Sequence, residues 1–181
     1  KDNNEVLGLE ISETYRPLLS KKGILHKIGE LKDTLPALPV KYYDLITFWD
    51  VFEHLKEPEK ILSLVKDKLS SDGVIINWTS NYDDFISRFA EMTYKLSFGR
   101  IKYFMEQGFN RINGHNYNFV HKSLELLYMK NGLKIADTVI TDTPSNRLTK
   151  SIAFRAIIEM FYLLNSTFRK GKIICHVLKR N

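Results

Sequence analysis

Apolar residues in this chain fall into short continuous runs, with stripes at helical spacing between them. The runs "EVLGLEIS" (5–12), "ILHKIGE" (24–30), "YDLITFW" (43–49), "VIINW" (74–78), "KIADTVITD" (134–142) and "KIICHVLK" (172–179) predict strands. "ETYRPLLSKKG" (13–23) predicts a short helix, limited by Pro17 and closed by Gly23. Pro58 suits a first helical turn, and Ile61, Leu62, Leu64, Val65 and Leu69 follow as one apolar stripe. "SSDG" should end that helix, with Gly73 free to turn left-handed. Phe85, Ile86, Phe89, Met92 and Leu96 make a further stripe, and Ile101, Phe104, Met105 and Phe109 suggest another. "KSLELLYMKNG" (122–132) predicts a helix with Ser123 as its cap. "LKDTLPALPVKYY", "TSNYDD", "RINGHNYNF" and "TPSNR" read as loops.

Strands that are apolar throughout, alternating with helices, predict an α/β fold with a mostly parallel sheet covered on both faces. The length of 181 residues suits one domain, and neither an internal repeat nor a linker interrupts the pattern. The long apolar segment "SIAFRAIIEMFYLLNSTF" is broken by Arg155 and Glu159. It falls short of the ~20 clean residues of a bilayer span, so a buried or interfacial helix is expected.

The composition, 44% hydrophobic and 27% charged, is that of a globular protein. The net charge of +6 is spread along the chain, as on a solvated basic face. The single cysteine, Cys175, excludes an internal disulfide framework and lies in an apolar run as a strand residue would.

The stretch "DLITFWDVFEHLKEPEKILSLVKDKLSSDGVIINWTSN" resembles the core of class I S-adenosylmethionine-dependent methyltransferases. The nearest subgroup is the type 11/12/23 small-molecule enzymes, which include ubiquinone O-methyltransferases. "GHNYNFVHKSLELLYMKNGL" is similar to a later block of that subgroup, and "VLGLEIS" to its second strand. The resemblance implies a Rossmann-like fold with a helical lid over 82–120, inserted after the fifth family strand. It also implies a cytoplasmic enzyme moving a methyl group from S-adenosylmethionine to a small molecule, most often to oxygen.

On that resemblance Glu10, with Ile11 beside it, would meet the cofactor ribose, and Glu30 with Leu31 the adenine. Phe48 and Trp49 would line the pocket. Asp50, Glu53 and His54 stand at i, i+3 and i+4, and on a helix would share one face. That set could hold Mg²⁺. His54 could instead act as general base, with His115 as its rival. The aromatic and basic residues of 82–112 could touch a membrane surface. Nucleic acid is not expected, because the turn after the fourth family strand is "WDVFEH" rather than an (Asp/Asn)-Pro-Pro-aromatic turn.

One feature departs from the resemblance. The glycine-rich strand-loop that opens this fold has no counterpart, and Gly8 stands alone in its strand. The expectation is an N-terminally truncated domain whose sheet lacks a central strand and so exposes two edges. The alternative function is a non-catalytic binding module that keeps the methyltransferase fold.

Overall fold

The computed structural model describes residues 4–101, 114–148 and 150–181. The elements in chain order are β1 (Leu7–Glu10), α1 (Arg16–Lys21), β2 (Leu25–Ile28), α2 (Leu31–Thr34) and β3 (Tyr43–Trp49). There follow α3 (Pro58–Lys68), β4 (Leu69–Ser80), α4 (Phe85–Leu96), α5 (His121–Lys130) and β5 (Leu133–Thr141). The last are α6 (Ser145–Leu148), α7 (Ile152–Thr167) and β6 (Ile173–Arg180).

Each predicted strand forms. They divide into a two-stranded sheet, β1–β2, and a four-stranded sheet in the order β3–β4–β6–β5. β1–β2 and β3–β4 are parallel, whereas β6 runs antiparallel to both its neighbours. Among the described residues, β1 and β3 each have a hydrogen-bonded neighbour on one side only. The apolar run of β3 therefore lies at a sheet edge, with Leu45 and Trp49 more than half exposed.

The core lies on the four-stranded sheet. Ile75, Ile174 and Leu178 from the strands meet Leu62 and Val65 of α3 and Leu124 and Tyr128 of α5. The apolar stripe of α3 points into this cluster, with Ile61, Leu62 and Val65 buried. Arg180 of β6 closes the carboxyl end of α3, donating to the carbonyls of Lys66 (2.5 Å) and Leu69 (2.6 Å). A cation suits that end of the helix dipole.

Three local expectations change. Gly73 does not close α3; β4 starts at Leu69, directly after the helix. Pairing with β3 jumps from Tyr43↔Leu69 to Leu45↔Val74, so the strand bulges over 70–73. Gly73 is needed there for space: a Cβ would lie 2.8 Å from the Leu69 side chain and 2.9 Å from the Tyr43 carbonyl oxygen. Ser123 is not the cap but the third residue of α5, and its hydroxyl accepts the Val120 N–H at 3.1 Å. "LKDT" and "SNRL" form short helices, α2 and α6, where loop was expected. The helix suggested by Phe104, Met105 and Phe109 lies outside the described residues.

Candidate functional site

β3 ends at Trp49 and the chain turns sharply. Asp50 takes a left-handed conformation (φ 50°) while its N–H donates to the Trp78 carbonyl at 3.0 Å. One 3-10 turn follows, Phe52–His54, which is too short to carry the expected shared helical face. Phe52 and Glu53 turn inward instead, and Asp50 and His54 stay exposed. Phe52 explains the turn: it is fully buried and packs edge-on against Phe48 at 5.6 Å between ring centroids.

Glu53 is 1% exposed, an unusual place for a carboxylate without a basic partner. Donors from the end of β4 satisfy it. The Thr79 hydroxyl donates to Oε2 at 2.6 Å, and the Ser80 N–H and hydroxyl reach Oε1 at 3.3 and 3.2 Å. The Glu53 carbonyl accepts the N–H groups of Asn116 (2.9 Å) and Tyr117 (3.2 Å). The Asn116 amide donates to the His54 carbonyl at 2.7 Å, and Tyr117 Oη to that of Lys56 at 3.0 Å. These bonds pin the loop that carries His115 onto the turn after β3.

His54 and His115 thus meet at 4.6 Å between ring centroids, edge to face. His54 Nδ1 lies 3.3 Å from the Gly114 carbonyl oxygen. A carbonyl only accepts, so Nδ1 carries the proton and the neutral ring keeps a lone pair on Nε2. His115 Nδ1 lies 2.9 Å from Tyr82 Oη. Burial lowers the His115 pKa; the Glu53 charge opposes this, and a charge on His54 lowers it further. Burial pushes the Tyr82 hydroxyl up to about 12. Asp50 is raised, by burial first and then by the charge of Glu53. One ligand atom from each of Glu53, His54 and His115 lies within 4.8 Å of the others, and Asp50 is not part of that group.

The other residues expected at the site are more scattered. Glu10 ends β1, and its Oε1 accepts the Ser12 N–H at 2.8 Å. Ile11 beside it is 70% exposed. Glu30 precedes α2 and pairs with Lys32 at 2.9 Å, while Leu31 packs partly on the core. Lys32 first, and more weakly Lys56 of the turn after β3, lower the Glu30 pKa. Phe48 is a core residue; its neighbour Trp49 is the one that faces out, tilted against Trp78 at 5.7 Å. Thr79, Ser80 and Tyr82 hold the cluster in place; they had no site role from sequence, which read "TSNYDD" as loop, whereas Thr79 and Ser80 end β4. The signal available was "WTSNY", hydroxyls directly after an apolar strand.

A separate network runs from the exposed His121 to the buried His176 and Tyr128. His121 Nδ1 meets His176 Nε2 at 2.9 Å, and Tyr128 Oη meets His176 Nδ1 at 3.3 Å. Burial, aided by His121, lowers His176 to about 4.

A family model described as a methyltransferase domain matches residues 5–137. A solved SAM-dependent methyltransferase from Archaeoglobus fulgidus is 15% identical, with a TM-score of 0.55 over 97% of this chain and 86% of that one. One from Mesorhizobium loti is 14% identical, with a TM-score of 0.62 over 97% and 80%. At such identities the likeness is one of fold. No curated protein sequence matches significantly. In Rossmann-like folds ligands sit beyond the carboxyl ends of the strands, and the turn after β3 lies at such an end.

Proposed function

The chain belongs to the methyltransferase-domain family, and from that premise we propose that it methylates a small molecule, at oxygen, using S-adenosylmethionine. The observation that carries the acceptor half of this reading is the meeting of His54 and His115 above the buried Glu53. The family implies the cofactor, and one part of the chain fits it: Glu10 accepts one local N–H through Oε1, which leaves Oε2 for a ribose hydroxyl. Glu30 and Leu31 would flank the adenine, with Ile11 and Trp49 along the rim. The methionine end lacks the glycine-rich loop, so those contacts are not assigned to any residue of this chain. When bound, the cofactor supplies an electrophilic methyl on sulfur.

The chain's own work is orientation and proton removal. His54 presents a lone pair at Nε2, because the Gly114 carbonyl holds the other nitrogen protonated. His115 presents one too when its Nδ1–H is given to Tyr82 Oη. As the acceptor oxygen gains a methyl it loses a proton, and one of these imidazoles takes it. Glu53 stabilises the imidazolium that results.

Calorimetry with S-adenosylmethionine tests the first half. Wild type should bind, and Glu10→Ala should bind at least ~10-fold more weakly, the cost of hydrogen bonds to a charged group. No heat from wild type would sink the cofactor assignment. Binding with no turnover on catechols, sugars or quinone precursors would favour the non-catalytic module.

A second reading has an observation of its own, the three converging ligand atoms. Both imidazoles are oriented through Nδ1, as metal-bound histidines are. Two imidazoles and a carboxylate suit an ion of the zinc type better than Mg²⁺, which prefers oxygen. Titration with Zn²⁺ and Mg²⁺ decides it: binding of either ion unchanged by His115→Ala removes this reading.

A further inference from the structure

α7 is attached by one side only. Phe161 packs on Phe89 of α4 at 5.4 Å between centroids. Asn165, the one buried residue of the helix among those described, accepts the Phe85 N–H at 2.9 Å and donates to Asp142 at 2.9 Å. Tyr162 Oη donates to the Thr143 carbonyl at 2.7 Å. At 100° per residue the opposite face carries Ile152, Met160 and Leu163, whereas Phe168, just past the end, turns to the attached side and packs on Phe85 of α4 at 5.4 Å. The three on the opposite face are 82%, 54% and 69% exposed. An aqueous surface rarely leaves so long an apolar stripe open.

Charge identifies what covers it. Arg147 and Lys150 lie exposed before the helix and Arg169 lies exposed after it. Both ends are therefore basic, on a chain of net charge +6. A second copy laid on this face would bring basic end to basic end, whether the helices ran parallel or antiparallel. An anionic plane attracts both ends together. A helix of 16 residues is about 24 Å long, and no described helix is long and apolar enough to cross a membrane. An orientation flat on the surface remains.

We propose that α7 docks this protein on an anionic bilayer, its apolar stripe among the acyl chains and Arg147, Lys150 and Arg169 against the headgroups. The surface is distinct from the turn after β3, and the proposal does not depend on methyl transfer. It adds α7 to the membrane contact expected over 82–112, of which 102–112 lie outside the described residues.

The test is co-sedimentation of the chain with vesicles of phosphatidylcholine alone and of phosphatidylcholine mixed with phosphatidylglycerol. Wild type should pellet with the mixed vesicles and stay in solution with the neutral ones. Leu163→Glu should cut the partition coefficient at least ~10-fold, the cost of one buried leucine side chain. Lys150→Glu together with Arg169→Glu should cut it more than ~10-fold, since each basic residue contributes about 1 kcal/mol near such a surface. Both variants lie on solvent-exposed positions, and unchanged far-UV circular dichroism confirms that they fold. Equal pelleting with neutral vesicles, or no effect of Leu163→Glu, overturns the proposal. So does a concentration-dependent dimer that Leu163→Glu dissolves, which would assign the stripe to a second copy.

Discussion

The β1–β2 unit and the four-stranded sheet are built from similar sequence and end up very differently packed. β1 is half-buried along its whole length, β2 alternates between half-buried and exposed, and α1 buries nothing. Every fully buried residue of the core comes from position 35 onward. Among the described residues, Leu7 and Leu9 of the N-terminal unit pack partly on that core. The proposed division of labour follows the same line. The proton-handling cluster is tied into the strong sheet through Thr79 and Ser80, whereas the proposed ribose acid, Glu10, stands on the weak one. Site precision is a property of the supporting shell, so the two halves of the site should differ in how firmly they are held.

Truncation of one leucine in each region probes that difference most directly. Leu124 is fully buried between α5 and the sheet, and Leu25 of β2 is 71% exposed. Leu124→Ala should cost about 2–5 kcal/mol in urea unfolding, and Leu25→Ala less than ~0.5 kcal/mol. Equal losses would show that the two regions share one core after all.

Acid should attack the large sheet through His176. It is fully buried, faced by His121 and Tyr128, and Tyr128 is held in turn by Asn77 at 2.8 Å. Its folded pKa of about 4 lies below the ordinary histidine value of 6.5. Between those values the unfolded chain takes up a proton that the folded one refuses. Stability is therefore whole above the unfolded pKa and falls as pH drops from 6.5 towards 4, by up to ~3 kcal/mol. His176→Asn should flatten that slope in urea midpoints measured across the range; an unchanged slope would assign it to other groups.

The tie between cluster and sheet is a smaller effect. Thr79→Val keeps the shape and removes the shortest of the three donors to Glu53. It should destabilise by about 1–3 kcal/mol, the cost of leaving a buried acceptor short of a partner. Thr14→Val in the N-terminal unit, which has no buried residue in its turn, is the control. If both substitutions cost the same, the carboxylate is not held as the geometry implies.

The difference between the regions was only partly legible in the sequence. Strand positions were, because continuous apolar runs announce themselves: β3 forms over the expected 43–49. The turn after β3 was read as a helical face, and the error has a physical cause. Periodicity says which residues could share a face, but Phe52 enters the core within three residues of the strand end and forces a tight 3-10 turn. The pairing of His54 with His115 joins residues 61 positions apart and rests on backbone bonds to Glu53 and on Asn116. No local pattern encodes such contacts. Among the described residues, β1 and β3 lie in separate sheets, each with a neighbour on one side only.

Glycines provide the finest test of how loosely the N-terminal unit is packed. In the large sheet, Gly73 has no room for a side chain, and a Cβ on Gly171 would run into the Thr141 carbonyl. Gly8 in β1 is different: its φ is not positive, and a Cβ would make ordinary contacts of 3.6 Å with Ile24 and 3.8 Å with His26. Alanine there meets no obstacle and removes conformational freedom from the unfolded chain. Gly8→Ala should therefore stabilise by about 0.4–1 kcal/mol. A shift of the urea midpoint upward with unchanged slope is the expected record. A downward shift would mean that β1 is hemmed in on its unpaired side, and the contrast between the two regions would have to be drawn less sharply.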